Sequence, residues 1–373
     1  MEFWLGPDGF FGQSRRQGGQ AKTGSGLCQM NRNNGPENKE GVMLKVGLLG
    51  AGRIGKVHAR AIEADPDSQL VAVSDALAEN AEALAADYGI KPVSSEAILA
   101  DAAIDAVLIA TSTDTHCDLI EAACAAGKAV LCEKPVDLDL ARARACLDKV
   151  GKTGQPVMMG FNRRFDTHFR ALKQALEAGE IGKAEMLSVT SFDPAPPPIS
   201  YIKLSGGIFR DMMIHDFDMA HFIMGDLPVQ VMATGSCLVD PQIGEAGDLD
   251  TAIVTLRYAD GRLAVIRNSR RAAYGYDQRL ELLGSDGLLQ AENITENSLV
   301  TATRAGVVSA KPTWFFLERY LAAYQAEWAA FVAALNSGGP MPVTLADGVA
   351  ALALAEAASL SVASGQPVSL HEI

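Results

Sequence analysis

The sequence predicts a doubly wound α/β domain followed by an α+β domain. From Leu44 to about Phe165, short apolar runs without polar alternation are joined by helical stretches, as in a parallel sheet covered on both faces. After Asp166, strand-like runs follow one another with short turns, which is typical of an antiparallel or mixed sheet. The length of 373 residues is enough for about two domains.

The first half alternates between apolar strands and helices. Strands are predicted for LKVGLLG from Leu44, for LVAVSD from Leu70, and for residues 103–113, 129–135 and 156–165. Helices are predicted between them, from Gly52 to Ala64 and over residues 79–89, 115–127 and 137–151. This order is that of the doubly wound class.

The second half mixes both kinds of element. It opens with a helix from about Thr167 to Ala178, a strand over 184–193, a Pro-rich loop over 194–207, and a helix from about Phe209 to Met224. Strand-like runs then occupy 229–239, 251–258, 262–271, 278–284, 287–293 and 299–305, with a hairpin turn at 258–262. Two Ala-rich helices, around 316–335 and 345–363, are interpreted as packing elements.

Residues 1–42 are unlike the rest of the chain. They are rich in Gly, Asn, Gln and Ser and lack the unbroken apolar centre of a signal peptide. Acidic residues at positions 2, 8, 37 and 40 argue against a transit peptide. We expect a disordered leader over 1–42, a first domain over 43–165 and a second domain over 166–373.

Composition and charge exclude several classes of protein. Lys and Arg number 32 against 45 Asp and Glu, and the net charge of −13 disfavours a nucleic-acid or anionic-membrane surface. We expect no membrane helix, because such a helix needs an apolar run of about 20 residues. The cysteines show no CxxC spacing, which favours free thiols in a reducing compartment over disulfides or a zinc cage; they are Cys28, Cys117, Cys124, Cys132, Cys146 and Cys237.

A glycine-rich motif follows the first predicted strand. Gly50-Ala51-Gly52-Arg53-Ile54-Gly55 is a G-x-G-x-x-G that opens a helix, and Asp75 lies 20 residues after Gly55, at the end of the next strand. Gly50 permits the tight turn, Gly52 lets the backbone approach a diphosphate, and Gly55 lets the helix pack closely. The alternative is a Gly-rich turn in an ordinary α/β domain.

Asp75 favours NAD over NADP. Its carboxylate can accept hydrogen bonds from both ribose hydroxyls but repels a 2′-phosphate. Ala76 and Leu77 follow it, and neither could hold that phosphate.

A second polar group ends the predicted strand AVLCEKP. Glu133 and Lys134 lie at the carboxyl end of a parallel strand, where ligands bind in this fold class. Pro135 ends the strand, and the Lys134–Pro135 bond can be cis. The alternative is a surface turn with a solvated lysine.

A third group lies in the helix predicted from Phe209. Helical spacing places Asp211, His215, Asp218 and Phe222 on one face. His215 is suited to take a proton near neutral pH, and Asp211 could orient its ring or bind a hydroxyl. A solvated face is the alternative. A metal held by Asp211 and His215 is disfavoured, because no other His or Cys stands in ligand spacing.

Four stretches together resemble the Gfo/Idh/MocA oxidoreductase family: GLLGAGRIGKVHARAI, EKP, GFNRRFD and GGIFRDMMIHDFDMAHF. Within that family, residues 193–198, 206–220, 239–256 and 268–287 are similar to the bacterial enzymes that oxidise myo-inositol. The resemblance covers the chain from about Met43 to its end and leaves residues 1–42 without a counterpart. It implies an N-terminal Rossmann domain, a C-terminal domain on a large open sheet, and assembly through that sheet into dimers or tetramers.

The resemblance also implies roles for individual residues. Lys134, Asp211 and His215 would be the catalytic group. The substrate contacts would come from Asn162, Arg163, Asp218, Tyr274 and Tyr276. The NAD contacts would come from Gly50, Gly52, Arg53, Ile54, Gly55, Asp75, Thr111, Ser112, His116, Glu133 and Lys134.

These roles predict an NAD-dependent oxidation of myo-inositol to the 2-keto product, without a metal. His215 takes the hydroxyl proton, Asp211 fixes the histidine tautomer, and Lys134 binds the reacting oxygen. Alternatives are a dehydrogenase of another inositol isomer or an aldose, and a sensor that binds NAD and a polyol without turnover. We expect a cytoplasmic homo-oligomer, as a dimer or a homotetramer, with no nucleic-acid partner.

Overall fold

A computed structural model describes residues 43–373. The predicted leader over 1–42, with Cys28, lies outside the described residues. The described residues belong to one compact unit that contains two large sheets. The domain boundary between Phe165 and Asp166 stays a prediction.

The first sheet has six parallel strands: β1 (Leu44–Leu49), β2 (Ser68–Ser74), β3 (Lys91–Pro92), β4 (Ala106–Ile109), β5 (Ala129–Glu133) and β6 (Val157–Gly160). Their order across the sheet is β3-β2-β1-β4-β5-β6. The helices between them are α1 (Arg53–Ala64), α2 (Ala78–Tyr88), α3 (Ser95–Ala100), α4 (His116–Ala125) and α5 (Leu140–Gly151). This order confirms the doubly wound class, and its reversal between β1 and β4 forms a crevice where ligands bind.

Burial explains why these strands lack polar alternation. Every residue of β4, β5 and β6 is buried, because helices cover both faces of the sheet. Side-chain caps fix where two of the helices begin. Ser94 accepts a hydrogen bond from the backbone N–H of Ala97 at 3.2 Å, and Asp139 accepts one from Ala141 at 2.7 Å. Each such cap stabilises a helix by about 1 kcal/mol.

The second sheet is mixed and has seven strands: β7 (Ala184–Phe192), β8 (Gln230–Ser236), β9 (Thr251–Arg257), β10 (Leu263–Ser269), β11 (Asp277–Gly284), β12 (Leu288–Ala291) and β15 (Val368–Ser369). Their order is β12-β11-β7-β10-β9-β8-β15, with β7 and β10 parallel and the other neighbours antiparallel. β13 (Val300–Thr303) and β14 (Gly306–Ser309) form a separate hairpin.

One face of the second sheet is open. Residues of β9 alternate between buried and exposed side chains, which confirms the predicted open sheet. The open face carries exposed apolar side chains at Met186, Met232, Ile253 and Leu263.

Seven further helices flank the sheets: α6 (Thr167–Glu177), α7 (Ile199–Ile202), α8 (Ile208–Asp211), α9 (Ile214–Met224), α10 (Pro241–Glu245), α11 (Phe316–Ser337) and α12 (Leu345–Ser364). Short 3₁₀ turns lie at Thr113–Thr115, Asn162–Phe165 and Leu370–Glu372. α11 packs on α1, and α12 packs on α5, α9 and β8. The last two helices therefore contact elements of both halves of the chain.

α12 corrects the expectation that no apolar run reaches the length of a membrane helix. This 20-residue helix has a mean hydropathy of 1.5 over its most apolar window, and 61% of that window is buried inside the protein. Its burial accounts for its composition, as in the core helix of a globular fold.

One predicted strand ends earlier than the sequence suggests, and one predicted helix is divided in two. The strand predicted over 156–165 stops at Gly160, and Asn162–Phe165 turn as a 3₁₀ helix. The helix predicted from Phe209 to Met224 is instead two helices, because the Met213 N–H bonds to the carbonyl oxygen of Ile208, five residues earlier, at 2.8 Å.

Candidate active site

The glycine motif forms the turn between β1 and α1. Gly50 has a φ of +101°, and a Cβ at this position would lie 2.4 Å from the carbonyl oxygen of Ala110. At Gly55, a Cβ would lie 2.0 Å from the carbonyl oxygen of Gly50. Gly50 is required for its conformation and Gly55 for the close approach of helix to turn.

The amino end of α1 is open and fits a diphosphate. Gly52 caps the helix without a side chain, and among the described residues no atom lies within 4 Å of a Cβ added there. The first turn contains no acidic residue, so its free N–H groups and the positive end of the helix dipole face an anion without competition. Arg53 is exposed, with its guanidinium 5.8 Å from the centroid of the Phe315 ring, and Ile54 is half-buried.

Asp75 follows β2 directly, where a ribose-binding acid is expected. Its carboxylate accepts hydrogen bonds from the backbone N–H groups of Ala51 at 2.6 Å and Leu77 at 2.9 Å. These bonds hold Asp75 beside the glycine turn, so its remaining lone pairs are positioned for ribose hydroxyls.

The segment after β4 carries Thr111 and Ser112, and His116 begins the helix α4 that follows it. The buried His116 ring places Nδ1 2.8 Å from the carbonyl oxygen of Pro135 and Nε2 3.3 Å from that of Thr111. Burial lowers the pKa of His116, so the ring is neutral near pH 7. Because a neutral ring has one N–H, we assign its proton to the shorter contact. His116 therefore ties this segment to the one that carries Lys134.

Lys134 lies directly after β5, and its peptide bond to Pro135 is cis. Lys134 Nζ donates a hydrogen bond to the backbone carbonyl oxygen of Asp211 at 2.8 Å and lies 3.9 Å from Asp211 Oδ1. The ammonium is thus held between the carboxyl end of β5 and the end of α8. Glu133 turns its carboxylate inward, 2.7 Å from His58 Nε2.

The Asp211 carboxylate has two further partners. The Tyr201 hydroxyl donates to Oδ1 at 2.9 Å, and the Arg270 guanidinium donates to Oδ2 at 3.2 and 3.3 Å. Arg270 also lies 3.4 Å from Asp248, which accepts a hydrogen bond from the Ile208 backbone. These contacts fix α8 against β10.

The spacing of Asp211 and His215 predicted that they share one continuous helix. In the structure they lie on two different helices. α8 ends at Asp211, and Lys134 Nζ takes the carbonyl oxygen that a continuous helix would direct to the N–H of His215. Within residues 43–373, the Asp211 carboxylate bonds to Tyr201 and Arg270 and not to His215. The expectation that Asp211 fixes the His215 tautomer is therefore wrong.

His215 lies in the first turn of α9. Its Nδ1 is buried without a hydrogen-bond partner in the described part of the chain, and its ring is edge-to-face with Phe161 at a centroid distance of 6.1 Å. Burial, with the positive charges of Lys134 and Arg163, holds the pKa of His215 well below its usual range. The ring is therefore neutral near pH 7 and can accept a proton.

Buried ion pairs engage two of the predicted substrate contacts. Arg164 donates to both carboxylate oxygens of Asp218, with Nε 2.9 and 3.0 Å away. Arg163 donates to Asp216 at 2.5 Å. Asp218 and Arg163 thus hold the 3₁₀ turn after β6 against α9, rather than offering free groups. The Asn162 side chain forms no hydrogen bond to any of the residues described.

The two predicted tyrosines have different surroundings. Tyr276 is buried, with its ring edge-to-face with Tyr320 at 6.1 Å and its hydroxyl 3.5 Å from Arg163. Tyr274 is 50% exposed and donates its hydroxyl to Asp277 at 2.5 Å. Tyr276 therefore belongs to the core, and Tyr274 remains accessible.

Three residues near Asp211 escaped the sequence analysis: Tyr201, Arg270 and Asp193. Asp193 follows β7 next to the end of β10, and its backbone N–H bonds to the carbonyl oxygen of Ser269 at 2.9 Å. Burial raises the pKa of Asp193 to about 6, against the charge of Arg270. Its carboxylate has no hydrogen-bond donor among residues 43–373. The sequence signal that could have identified Asp193 was the position of its carboxylate, directly between a predicted strand and a Pro-rich loop.

This arrangement suits the oxidation of an alcohol. The Lys134 ammonium can stabilise a developing alkoxide, and the neutral His215 ring can take the hydroxyl proton. The open end of α1 provides the place for a dinucleotide. In residues 43–373, no group of three or more His, Cys, Asp or Glu side chains is placed to hold a metal ion.

Comparisons with known proteins show that the chain belongs among oxidoreductases. Residues 44–161 match the family model "Oxidoreductase family, NAD-binding Rossmann fold", and residues 169–290 match the GFO/IDH/MocA C-terminal domain. The chain is 53% identical to the inositol 2-dehydrogenase of Rhizobium meliloti (strain 1021) over 88% of this chain and 99% of that protein.

Two further proteins give the same result. The chain is 44% identical to the myo-inositol 2-dehydrogenase of Thermotoga maritima, over 88% of this chain and 99% of that protein. It superposes on a crystal structure of a myo-inositol dehydrogenase from Corynebacterium glutamicum with a TM-score of 0.85 and 46% identity, over 88% and 99% of the two chains. The chain therefore belongs to the Gfo/Idh/MocA family of oxidoreductases, and its first sheet is the NAD-binding Rossmann fold of that family.

Proposed function

We propose that this protein oxidises myo-inositol to 2-keto-myo-inositol (scyllo-inosose) with NAD⁺ as the electron acceptor. The observation that carries the proposal is the Lys134 ammonium held at Asp211, with the neutral His215 ring in the following helix. The names of the relatives that are 53% and 44% identical point to the same substrate.

Three residues take part in the reaction at the hydroxyl group, and each has a different role. When bound, NAD⁺ supplies the hydride acceptor. The His215 ring takes the proton of the reacting hydroxyl, and Lys134 Nζ donates a hydrogen bond to the oxygen as it gains negative charge. Asp211 acts on Lys134 by holding its ammonium in place. The glycine turn, Asp75, Thr111 and Ser112 would hold the dinucleotide.

A polyol ring needs several groups that bind hydroxyls. Asp193 and Asn162 have side chains without hydrogen-bond partners among the described residues, and Tyr274 is accessible. A carboxylate accepts a hydrogen bond from a hydroxyl, whereas an amide and a phenol can each donate to a hydroxyl or accept from it. We assign Asp193 to this substrate-binding group, together with Asn162 and Tyr274.

Initial rates test the proposal against its alternatives. Purified protein would be mixed with NAD⁺ and either myo-inositol, scyllo-inositol or glucose at mildly alkaline pH, with NADH absorbance as the signal. The proposal predicts the largest kcat/KM for myo-inositol. A larger value for another polyol would instead identify a dehydrogenase of that compound. NAD⁺ binding without NADH formation on any polyol would identify a sensor.

Replacing Asp75 should change cofactor preference. Asp75→Ser removes the ribose acceptor and the charge that repels a 2′-phosphate, so kcat/KM for NAD⁺ should fall by about 10- to 100-fold, the range for a hydrogen bond to a charged group. The ratio of NADP⁺ to NAD⁺ use should rise. Steady-state kinetics with both cofactors checks this, with the exposed Asp67→Ser as control. An unchanged ratio would contradict the role of Asp75.

Protonation of Asp193 should lower kcat/KM for myo-inositol on the acidic side of the pH profile, which we call the acidic limb. Below pH 6 its carboxyl takes a proton and loses acceptor capacity, so kcat/KM for myo-inositol should fall as the pH drops through about 6. Asp193→Asn should lower kcat/KM by about tenfold at neutral pH and remove this limb. The exposed Asp148→Asn is the matched control. An identical limb in Asp193→Asn would refute the assignment.

We also propose a location and an assembly. Buried free thiols at Cys117, Cys124, Cys132 and Cys146 fit a reducing compartment, the cytoplasm. The exposed apolar side chains on the open face of the second sheet support a homo-oligomer, as a dimer or a homotetramer.

A further inference from the structure

A buried histidine lies directly behind the Lys134 segment. His58, three residues after the last glycine of the motif on α1, is 0% exposed. Its Nε2 lies 2.7 Å from Oε1 of Glu133, the last residue of β5. The helix that begins at the cofactor turn is thus joined to the strand that carries Lys134.

Glu133 also contacts the backbone of Lys134. Its second oxygen, Oε2, accepts a hydrogen bond from the Lys134 backbone N–H at 3.2 Å. Glu133 packs closely against Gly160 on β6. A Cβ added at Gly160 would lie 3.1 Å from the Cα of Glu133 and 3.2 Å from its carboxyl carbon. The Glu133 carboxylate is therefore held between His58 and Lys134.

The surroundings define which nitrogen of His58 carries the proton. Because a carboxylate only accepts hydrogen bonds, we assign the proton to His58 Nε2, which then donates to Glu133 Oε1. Nδ1 of His58 is buried without a hydrogen-bond partner among the described residues, and the ring is edge-to-face with Tyr324 at 5.3 Å.

We propose that His58 is a positioning residue for the reaction. By donating to Glu133, it fixes the carboxylate that holds the Lys134 backbone, and so the ammonium at Asp211. His58 touches neither the reacting atoms nor the catalytic side chains. The inference rests on the proposed function insofar as Lys134 acts on the substrate.

Four variants test this role. His58→Leu removes the donor and keeps an apolar side chain in the buried position. His58→Gln places an amide N–H near the position of Nε2, whereas His58→Asn is too short to reach Glu133. His168→Gln, at an exposed histidine on α6, is the control.

We expect His58→Leu and His58→Asn to lower kcat by about 10- to 100-fold, as small displacements of a catalytic group do. The KM for NAD⁺ should stay within about threefold of the wild-type value, since the dinucleotide contacts are intact. His58→Gln should restore kcat to near the wild-type value. A purely structural role would instead lower the melting temperature in all three His58 variants without this pattern in kcat.

Hydrogen exchange gives a readout that does not depend on turnover. In His58→Leu, the Lys134 amide should exchange about tenfold faster, because its acceptor is no longer held, and His58→Gln should retain slow exchange. Mass spectrometry of the peptide at the end of β5 measures this. If His58→Leu does not fold, the comparison of His58→Gln with His58→Asn decides whether His58 acts as a positioning residue.

Three outcomes would overturn the inference: wild-type kcat in His58→Leu, equal losses in His58→Gln and His58→Asn, or unchanged exchange at Lys134. Failure of the proposed function looks different, because the wild-type protein would then not oxidise myo-inositol. The kinetic series would run with whichever polyol is oxidised, and the exchange measurement needs no substrate.

Discussion

Replacing Lys134 with methionine should lower kcat for myo-inositol oxidation by at least about 10²-fold. Methionine has a similar length and no charge, so the variant removes the ammonium that we propose stabilises the developing alkoxide. The Asp211 carbonyl oxygen also loses its 2.8 Å partner. Stopped-flow measurement of NADH formation gives the rate of the hydride-transfer step.

Binding of NAD⁺ should survive this change, because the dinucleotide contacts proposed for the glycine turn and Asp75 do not involve the ammonium. Calorimetric titration with NAD⁺ checks this point. Lys152→Met, at an exposed lysine after α5, is the matched control and should retain the wild-type kcat. A Lys134→Met enzyme with more than about a tenth of the wild-type kcat would remove Lys134 from the chemistry.

Replacing His215 with alanine should also lower kcat by about 10²- to 10⁴-fold, the range for a positioned acid or base. The wild-type ring is neutral because burial and the charges of Lys134 and Arg163 hold its pKa well below the usual range. Protonation of His215 therefore begins at a lower pH than for an ordinary histidine. Protonation of His215 should therefore not lower the wild-type kcat as the pH falls from 8 to about 6.5, which is the ordinary histidine pKa.

The pH profile of kcat measures this prediction together with the rates at neutral pH. The exposed His371→Gln serves as the control. A loss of kcat near the ordinary histidine pKa that disappears in His215→Ala would contradict a depressed pKa. Wild-type turnover in His215→Ala would show that another group takes the proton.

Much of the first domain could be predicted because its signals are local. Apolar strands, the glycine spacing and Asp75 all depend on residues close in sequence, and the structure places them where the pattern indicates. The cis bond after Lys134 is also encoded locally, by Pro135.

Prediction failed where a contact distant in sequence decided the geometry. The Asp211–His215 spacing is helical, but Lys134, 77 residues earlier, takes the Asp211 carbonyl oxygen. Similarly, Asp218 stands in helical spacing after His215, but Arg164 engages it in a buried pair. Nothing in a single sequence shows which arginine a buried carboxylate will meet.

Some residues of the proposed site lacked a motif of their own. Tyr201 lies in the stretch predicted as a Pro-rich loop, where the structure instead forms the short helix α7, and this helix brings its hydroxyl to Asp211. Asp193 resembles any acidic residue after a strand until burial and its lack of a donor among residues 43–373 distinguish it. The substrate-binding group is therefore less predictable than the cofactor turn, because it is built from several distant segments.

A deuterium label tests the central claim most directly. Myo-inositol carrying deuterium at carbon 2 would be incubated with the protein and NAD⁺, and both products analysed by mass spectrometry. The account predicts that the deuterium appears in the reduced dinucleotide and is absent from the keto product, because the hydride leaves carbon 2. Unlabelled NADH, with the deuterium retained in the oxidised ring, would contradict it.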